Sequence, residues 1–154
     1  MMMLCLVLGS WGAFAQQNKT AMFKDAKLGA DYEHYIHLKD ALVASNADEA
    51  KKGAGELQKA LKGVDDSTAA LEAASKIAAS SDLKEQRLVF SGLSNEMATL
   101  VKGGKLSIGA LYLEFCPMAN GNTGAYWLSN EKEIRNPYFG DRMLKCGGVK
   151  EVIN

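Results

Sequence analysis

The chain has 154 residues, 47% hydrophobic and 23% charged, a globular composition at the length of one domain. Eighteen Lys and Arg balance eighteen Asp and Glu, interspersed along the chain, so no charged face is offered to phosphate backbones or anionic lipid. These features argue against disorder, nucleic-acid binding and attachment to a membrane surface.

Residues 1–15, MMMLCLVLGSWGAFA, carry no charge and end in Ala13-Phe14-Ala15, a short apolar core followed by a small-x-small cleavage pattern. They read as a secretory signal peptide, although no basic residue precedes the apolar run. Spanning a bilayer takes about 20 apolar residues, and no later segment approaches that length. The expectation is an exported protein, periplasmic or secreted and not inserted in a membrane after cleavage. Residues 16–28 then read as a linker and 29–154 as a single domain. Cys5 leaves with the signal, so the mature chain keeps Cys116 and Cys146, with Met118 and Met143 close to them in sequence.

Both prolines lie beyond residue 116, which leaves the first two thirds free to be helical. From Asp31 to Val43, Tyr32, Tyr35, Ile36, Leu38, Leu42 and Val43 recur mostly at three- and four-residue intervals and mark a first amphipathic helix. Asn46 followed by Glu49 is an N-cap pattern for a second helix through Ala50, Ala54, Leu57 and Leu61, ending near Gly63. Gly53 and Gly55 within it imply a closely packed neighbour, because each costs about 1 kcal/mol relative to alanine. Asp66 or Ser67 caps a third helix carrying Ala70, Ala74 and Ile77. Ser80-Ser81-Asp82 separates it from a fourth with Leu83, Phe90, Leu93, Met97 and Leu100, stopped by Gly103-Gly104. Four helices on short loops predict an all-α fold, an up-and-down four-helix bundle. Residues 105–154 form a turn-rich cap on it, with short strands at Leu111–Phe115 and Ala125–Leu128.

The chemistry-bearing residues lie in that cap. In Cys116-Pro117-Met118, proline pushes Cys116 out of the helical region, and in an extended segment residues two apart face the same side. Met143-Leu144-Lys145-Cys146 repeats the ligand pair at a spacing suited to a helical turn or tight loop. Two thiolates and two thioethers make a possible S₄ site, a donor set that selects Cu(I) or Ag(I) over harder cations. The simpler reading of two cysteines about 30 residues apart in an exported protein is a disulfide, worth roughly 3 to 4 kcal/mol, with Met118 and Met143 as core fillers. A disulfide leaves no thiolate for metal, so the two states alternate with redox conditions.

His34 and His37, one helical turn apart, are secondary metal candidates; two partly exposed helix residues are the plainer reading. Asn136-Pro137-Tyr138-Phe139-Gly140 reads as a rigid turn that aims Met143 and Cys146. Arg87 and Arg135 are solvated by default, and no ion pair is assigned to them. Tyr126, Trp127, Tyr138 and Phe139 read as the core of the cap rather than a stacking surface. There is no G-x-S-x-G and no H-E-x-x-H, and Gly103-Gly104-Lys105 lacks the remaining parts of a phosphate loop, so no enzyme is predicted.

Several stretches carry a resemblance. They are Tyr35–Val43 (YIHLKDALV), Arg87–Ser94 (RLVFSGLS), Cys116–Ala119 (CPMA), Gly124–Ser129 (GAYWLS), Ile134–Gly140 (IRNPYFG) and Met143–Gly147 (MLKCG). Together they resemble the family called domain of unknown function 3347, over roughly Gly29 to the end. That resemblance implies exported bacterial proteins, found alone or joined to adaptor subunits of copper and silver efflux systems, with a helical bundle and no established catalytic activity. Cys116, Met118, Met143 and Cys146 match its Cys-Pro-Met and Met-Leu-x-Cys-Gly motifs; His34 and His37 are not part of the pattern. The resemblance raises the metal reading above the plain disulfide. The expected function is a periplasmic, non-enzymatic Cu(I)- or Ag(I)-binding domain serving sequestration or delivery to an efflux adaptor. The alternative is a disulfide-stapled envelope interaction module without metal.

Overall fold

A computed structural model describes residues 21–154. The expected signal peptide, and with it Cys5, lies outside the described residues. A short strand β1 (Met22–Phe23) leads into α1 (Ala26–Val43), α2 (Ala47–Ala60), α3 (Thr68–Ala79) and α4 (Leu83–Gly103). β1 and the first residues of α1 therefore fall within the stretch read as a linker. Asp25 caps α1, its side chain accepting from the Lys27 N–H, so the helix starts five residues before the apolar stripe that revealed it. Asn46 caps α2 as its spacing with Glu49 predicts, accepting from the Glu49 N–H at 3.1 Å. Asp82 caps α4. Ser67 heads α3 but turns its hydroxyl back to the Leu61 and Val64 carbonyls, closing the preceding loop instead.

Each helix packs chiefly on its neighbours in the chain, as short connections require. The core is filled by Tyr35, Leu38, Leu42, Ala54, Leu57, Ile77, Phe90, Leu93 and Met97, all fully buried. Gly53 lies so close to α1 that a Cβ there would meet the Leu38 backbone at 3.2 Å, the expected close approach; Gly55 faces open space and has no such reason. No helix among the described residues is long and apolar enough to cross a membrane.

The all-α expectation is overturned. With 54% of the described residues in helices and 16% in strands that form two antiparallel sheets, the fold is mixed α/β around a helical-bundle core. β1 pairs with β2 (Leu106–Ile108), bringing the start of α1 to the end of α4. β3 (Leu111–Cys116) is the centre of a three-stranded sheet, between β4 (Ala125–Ser129) and β5 (Gly148–Ile153). The region read as a cap is thus a sheet with a hydrophobic side of its own. β5 escapes the sequence reading because Gly148-Val-Lys-Glu-Val-Ile has few buried positions: it is a largely exposed edge, specified by its ladder to β3 and not by periodicity.

A line of rings joins the two parts. Tyr32, Tyr35, Phe90, Tyr138 and Trp127 follow one another with centroids 5.4 to 6.1 Å apart, running from α1 through α4 into the sheet. The Tyr35 hydroxyl is hydrogen-bonded to Ser94 Oγ at 2.8 Å and accepts from the Leu128 N–H at 3.0 Å. It thereby satisfies an outward N–H of the edge strand β4 while tying that strand to α1 and α4.

Candidate functional site

β3 ends at Cys116, whose side chain points into the core and is completely buried. Beyond it the chain does not stay extended. Pro117 and Met118 form a turn into a short helical turn, α5 (Ala119–Asn122), in which Asn120 and Gly121 take left-handed angles. Met118 is consequently 46% exposed. Its backbone is helical rather than extended, so the expectation that Cys116 and Met118 face one spot as alternate residues of a strand does not hold.

Cys146 arrives from the other direction, through a loop held by one side chain. Asn136 is fully buried, and its Oδ1 accepts from the N–H groups of Tyr138 and Phe139 at 2.8 and 3.2 Å. Its Nδ2 donates to the Cys146 carbonyl at 2.8 Å, and its own N–H donates to the Leu144 carbonyl at 2.9 Å. This is the rigid turn expected of Asn136-Pro137, with the asparagine rather than the proline as its fastening. A 3₁₀ turn (Gly140–Arg142) follows, and the Cys146 N–H returns to the Met143 carbonyl at 3.0 Å, so the Met143–Cys146 spacing is a tight turn. Gly147 has φ +131°, and a Cβ there would lie 2.8 Å from the Phe115 carbonyl oxygen and 2.9 Å from the Trp127 ring. Only a residue without a side chain lets this backbone press against β3 beside Cys116.

The outcome is contact between the two thiols, free cysteines whose Sγ atoms lie 2.6 Å apart. Cys116 is buried and Cys146 partly exposed, so reagents have one way in. The hydrogen bond from Cys116, aided by burial and by the neighbouring charge, holds the Cys146 thiol above its ordinary range, at about 11. The Cys146 thiol is therefore favoured in its protonated form near neutral pH, and a metal or an oxidant must displace that proton.

Met118 and Met143 both line a groove between the start of α4 and the C-terminal loops. His34 and His37 lie elsewhere, on α1 facing α2. His34 Nδ1 is 3.7 Å from Glu56 Oε2, and His37 lies 3.4 Å from both Glu49 and Glu56. Among the described residues no three or more His, Cys, Asp or Glu are grouped to hold a metal ion.

One buried group went unnoticed in the sequence. Glu114, opposite Trp127 in the ladder and with no exposed surface, has both carboxylate oxygens without a hydrogen-bond partner. Burial pushes its carboxyl up to about 7, against the opposing pull of the Trp127 indole and the Lys39 ammonium. Its signal was an acidic residue in the otherwise apolar run Leu111-Tyr-Leu-Glu-Phe-Cys.

Over residues 32–109, half of the chain, the sequence matches the family model described as "Protein of unknown function (DUF3347)". The chain belongs to that family. In this DUF3347 member the matched span covers most of α1, all of α2 to α4, and β2, and it stops before Cys116. Family membership therefore rests on the helical core, whereas the thiol pair lies beyond it, at the end of β3 and in the loop before β5. Among curated proteins and among solved structures, nothing matches the chain.

Proposed function

We propose that this DUF3347 protein is a non-enzymatic exported domain that binds Cu(I) or Ag(I) through Cys116 and Cys146, with Met118 and Met143 as thioether ligands. The observation that carries the reading is the contact between the two thiols, 30 residues apart in sequence and 2.6 Å apart in space. Cu(I) and Ag(I) suit such a pair because they accept soft donors. Methionine side chains are long and unbranched, which lets them reach a centre from neighbouring loops. The signal-like residues 1–15 support periplasmic or secreted localisation, and the family resemblance supports delivery to a metal-efflux adaptor.

Anaerobic competition of the reduced protein against a Cu(I) chelator tests the site. One equivalent binds tightly, and Cys116→Ser or Cys146→Ser abolishes that binding, whereas Met118→Leu and Met143→Leu weaken it less. Unchanged affinity in the double cysteine variant overturns the site.

The second reading, a disulfide-stapled envelope interaction module, is favoured by the same contact together with the burial of Cys116. It predicts that protein recovered from an oxidising compartment carries the Cys116–Cys146 bond and fails to take up metal after reduction.

A further inference from the structure

Two guanidinium groups line the groove beside α4, a cavity of about 1210 Å³. Arg87, on α4, is only 8% exposed. Its Nε donates to the Pro137 carbonyl at 2.7 Å, and its Nη2 donates to the Leu42 carbonyl at 2.8 Å and to Ser45 Oγ at 2.9 Å. All three partners are neutral, and Nη1 makes no protein hydrogen bond among the described residues. Arg142, exposed on the 3₁₀ turn, stands near enough that its positive charge adds to burial in lowering the Arg87 pKa.

Buried charges are ordinarily paired, because desolvating an ion without a counter-charge is unfavourable. Here none of the ion pairs among the described residues includes Arg87 or Arg142. The acids on the same rim are engaged elsewhere or out of reach. Asp82 caps α4 through the Lys84 and Glu85 N–H groups, Glu85 accepts from Ser80 Oγ at 2.6 Å, and Asp141 forms no ion pair with either guanidinium. The rest of the wall includes apolar surface from Leu88, 63% exposed, and from Met118, Phe139 and Met143. A cationic end that lacks an anion, continued by an apolar wall, matches a ligand with a charged head and an apolar body. With Nε and Nη2 committed to neutral acceptors, Arg87 offers Nη1, and the exposed Arg142 its guanidinium, to a carboxylate.

We infer that this groove binds a small organic carboxylate with an apolar body, Arg87 and Arg142 holding the carboxylate and Leu88, Met118, Phe139 and Met143 covering the body. The groove shares Met118 and Met143 with the proposed metal centre, and it is therefore tested on reduced, metal-free protein.

Calorimetric titration with octanoate, 1-octanol, acetate and inorganic phosphate separates head from tail. Octanoate binds saturably, and the three others bind at least about tenfold more weakly, because each lacks one half of the ligand. Arg142→Gln, at an exposed position, weakens octanoate about tenfold and leaves octanol unchanged, while Leu88→Ser weakens both. Arg87→Lys keeps the charge but loses Nη1, and weakens octanoate if the variant retains its fold by circular dichroism. Equal affinity for octanoate and octanol, phosphate binding as tightly as octanoate, or an Arg142→Gln variant within about twofold of the parent protein each overturns the assignment.

Discussion

Asn136 positions Cys146: its buried side-chain amide donates to the Cys146 carbonyl at 2.8 Å while its oxygen gathers the N–H groups of Tyr138 and Phe139. One side chain thus joins the start of the 136–146 loop to its end. Asn136→Ala should lower stability by about 1 to 3 kcal/mol, since it strands buried donors and an acceptor, and should slow oxidation of the thiol pair. Denaturant titration and the rate of thiol loss read the two effects. A variant as stable as the parent and oxidised as fast would show that the loop is held by other contacts.

Gly147 makes the second close approach. Gly147→Ala introduces a Cβ about 2.8 Å from the Phe115 carbonyl in a backbone conformation that L-residues avoid. A destabilisation of about 2 to 4 kcal/mol is expected, comparable to other strained substitutions. The β3–β5 ladder should loosen as well, seen as faster amide exchange at Phe115 and Gly148. Gly55→Ala, whose Cβ meets nothing within 4 Å, should instead stabilise α2 by about 1 kcal/mol.

Cys146 is held above its ordinary range chiefly by its hydrogen bond with Cys116, at about 11 against 9.0 for an unperturbed thiol. In Cys116→Ser the thiol loses that partner, so its thiolate fraction near pH 8 should rise. Iodoacetamide should then label Cys146 at least about tenfold faster, the gain in thiolate exceeding a modest loss of intrinsic nucleophilicity. Equal labelling rates in parent and variant would remove the coupling between the two sulfurs.

Glu114 makes stability depend on pH. Its folded-state carboxyl titrates at about 7 against 4.5 unperturbed, so the folded protein binds more protons than the unfolded chain between these values. The sign is therefore a loss of stability as pH rises from about 4.5 to about 7, amounting to about 3 kcal/mol. Glu114→Gln has no such proton to lose and should show a flatter profile across that window. Denaturation midpoints at several pH values check it, and parallel profiles for the two proteins would exclude Glu114 as the origin.

Metal and disulfide compete for the same sulfurs. Protein loaded with Ag(I) should resist oxidation that converts the apo form to a disulfide, counted by mass after alkylation. Equal oxidation rates with and without metal would favour the interaction-module reading.

The helices were legible because their signals are local: the Asn46–Glu49 cap, the three- and four-residue stripe from Tyr32 to Val43, and the paired glycines after Val101 act within one or two turns. β3 and β4 were visible for the same reason, as short aromatic and aliphatic runs between turn residues. What tertiary structure alone decided is how those runs pair. β5 is exposed along most of its length and becomes a strand only by bonding to β3, and β1 and β2 are two and three residues long, below any periodicity. The same holds at the candidate site. Cys116 and Cys146 were identifiable as donors from their residue type, but their contact depends on a buried asparagine and on a glycine pressed against Phe115. The unpaired charge of Arg87 depends likewise on carbonyls 45 and 50 residues away in sequence. Residue type and local spacing define an element or a donor; whether a thiol meets its partner or a charge goes unpaired is settled by contacts between distant segments, which form only once the core has closed.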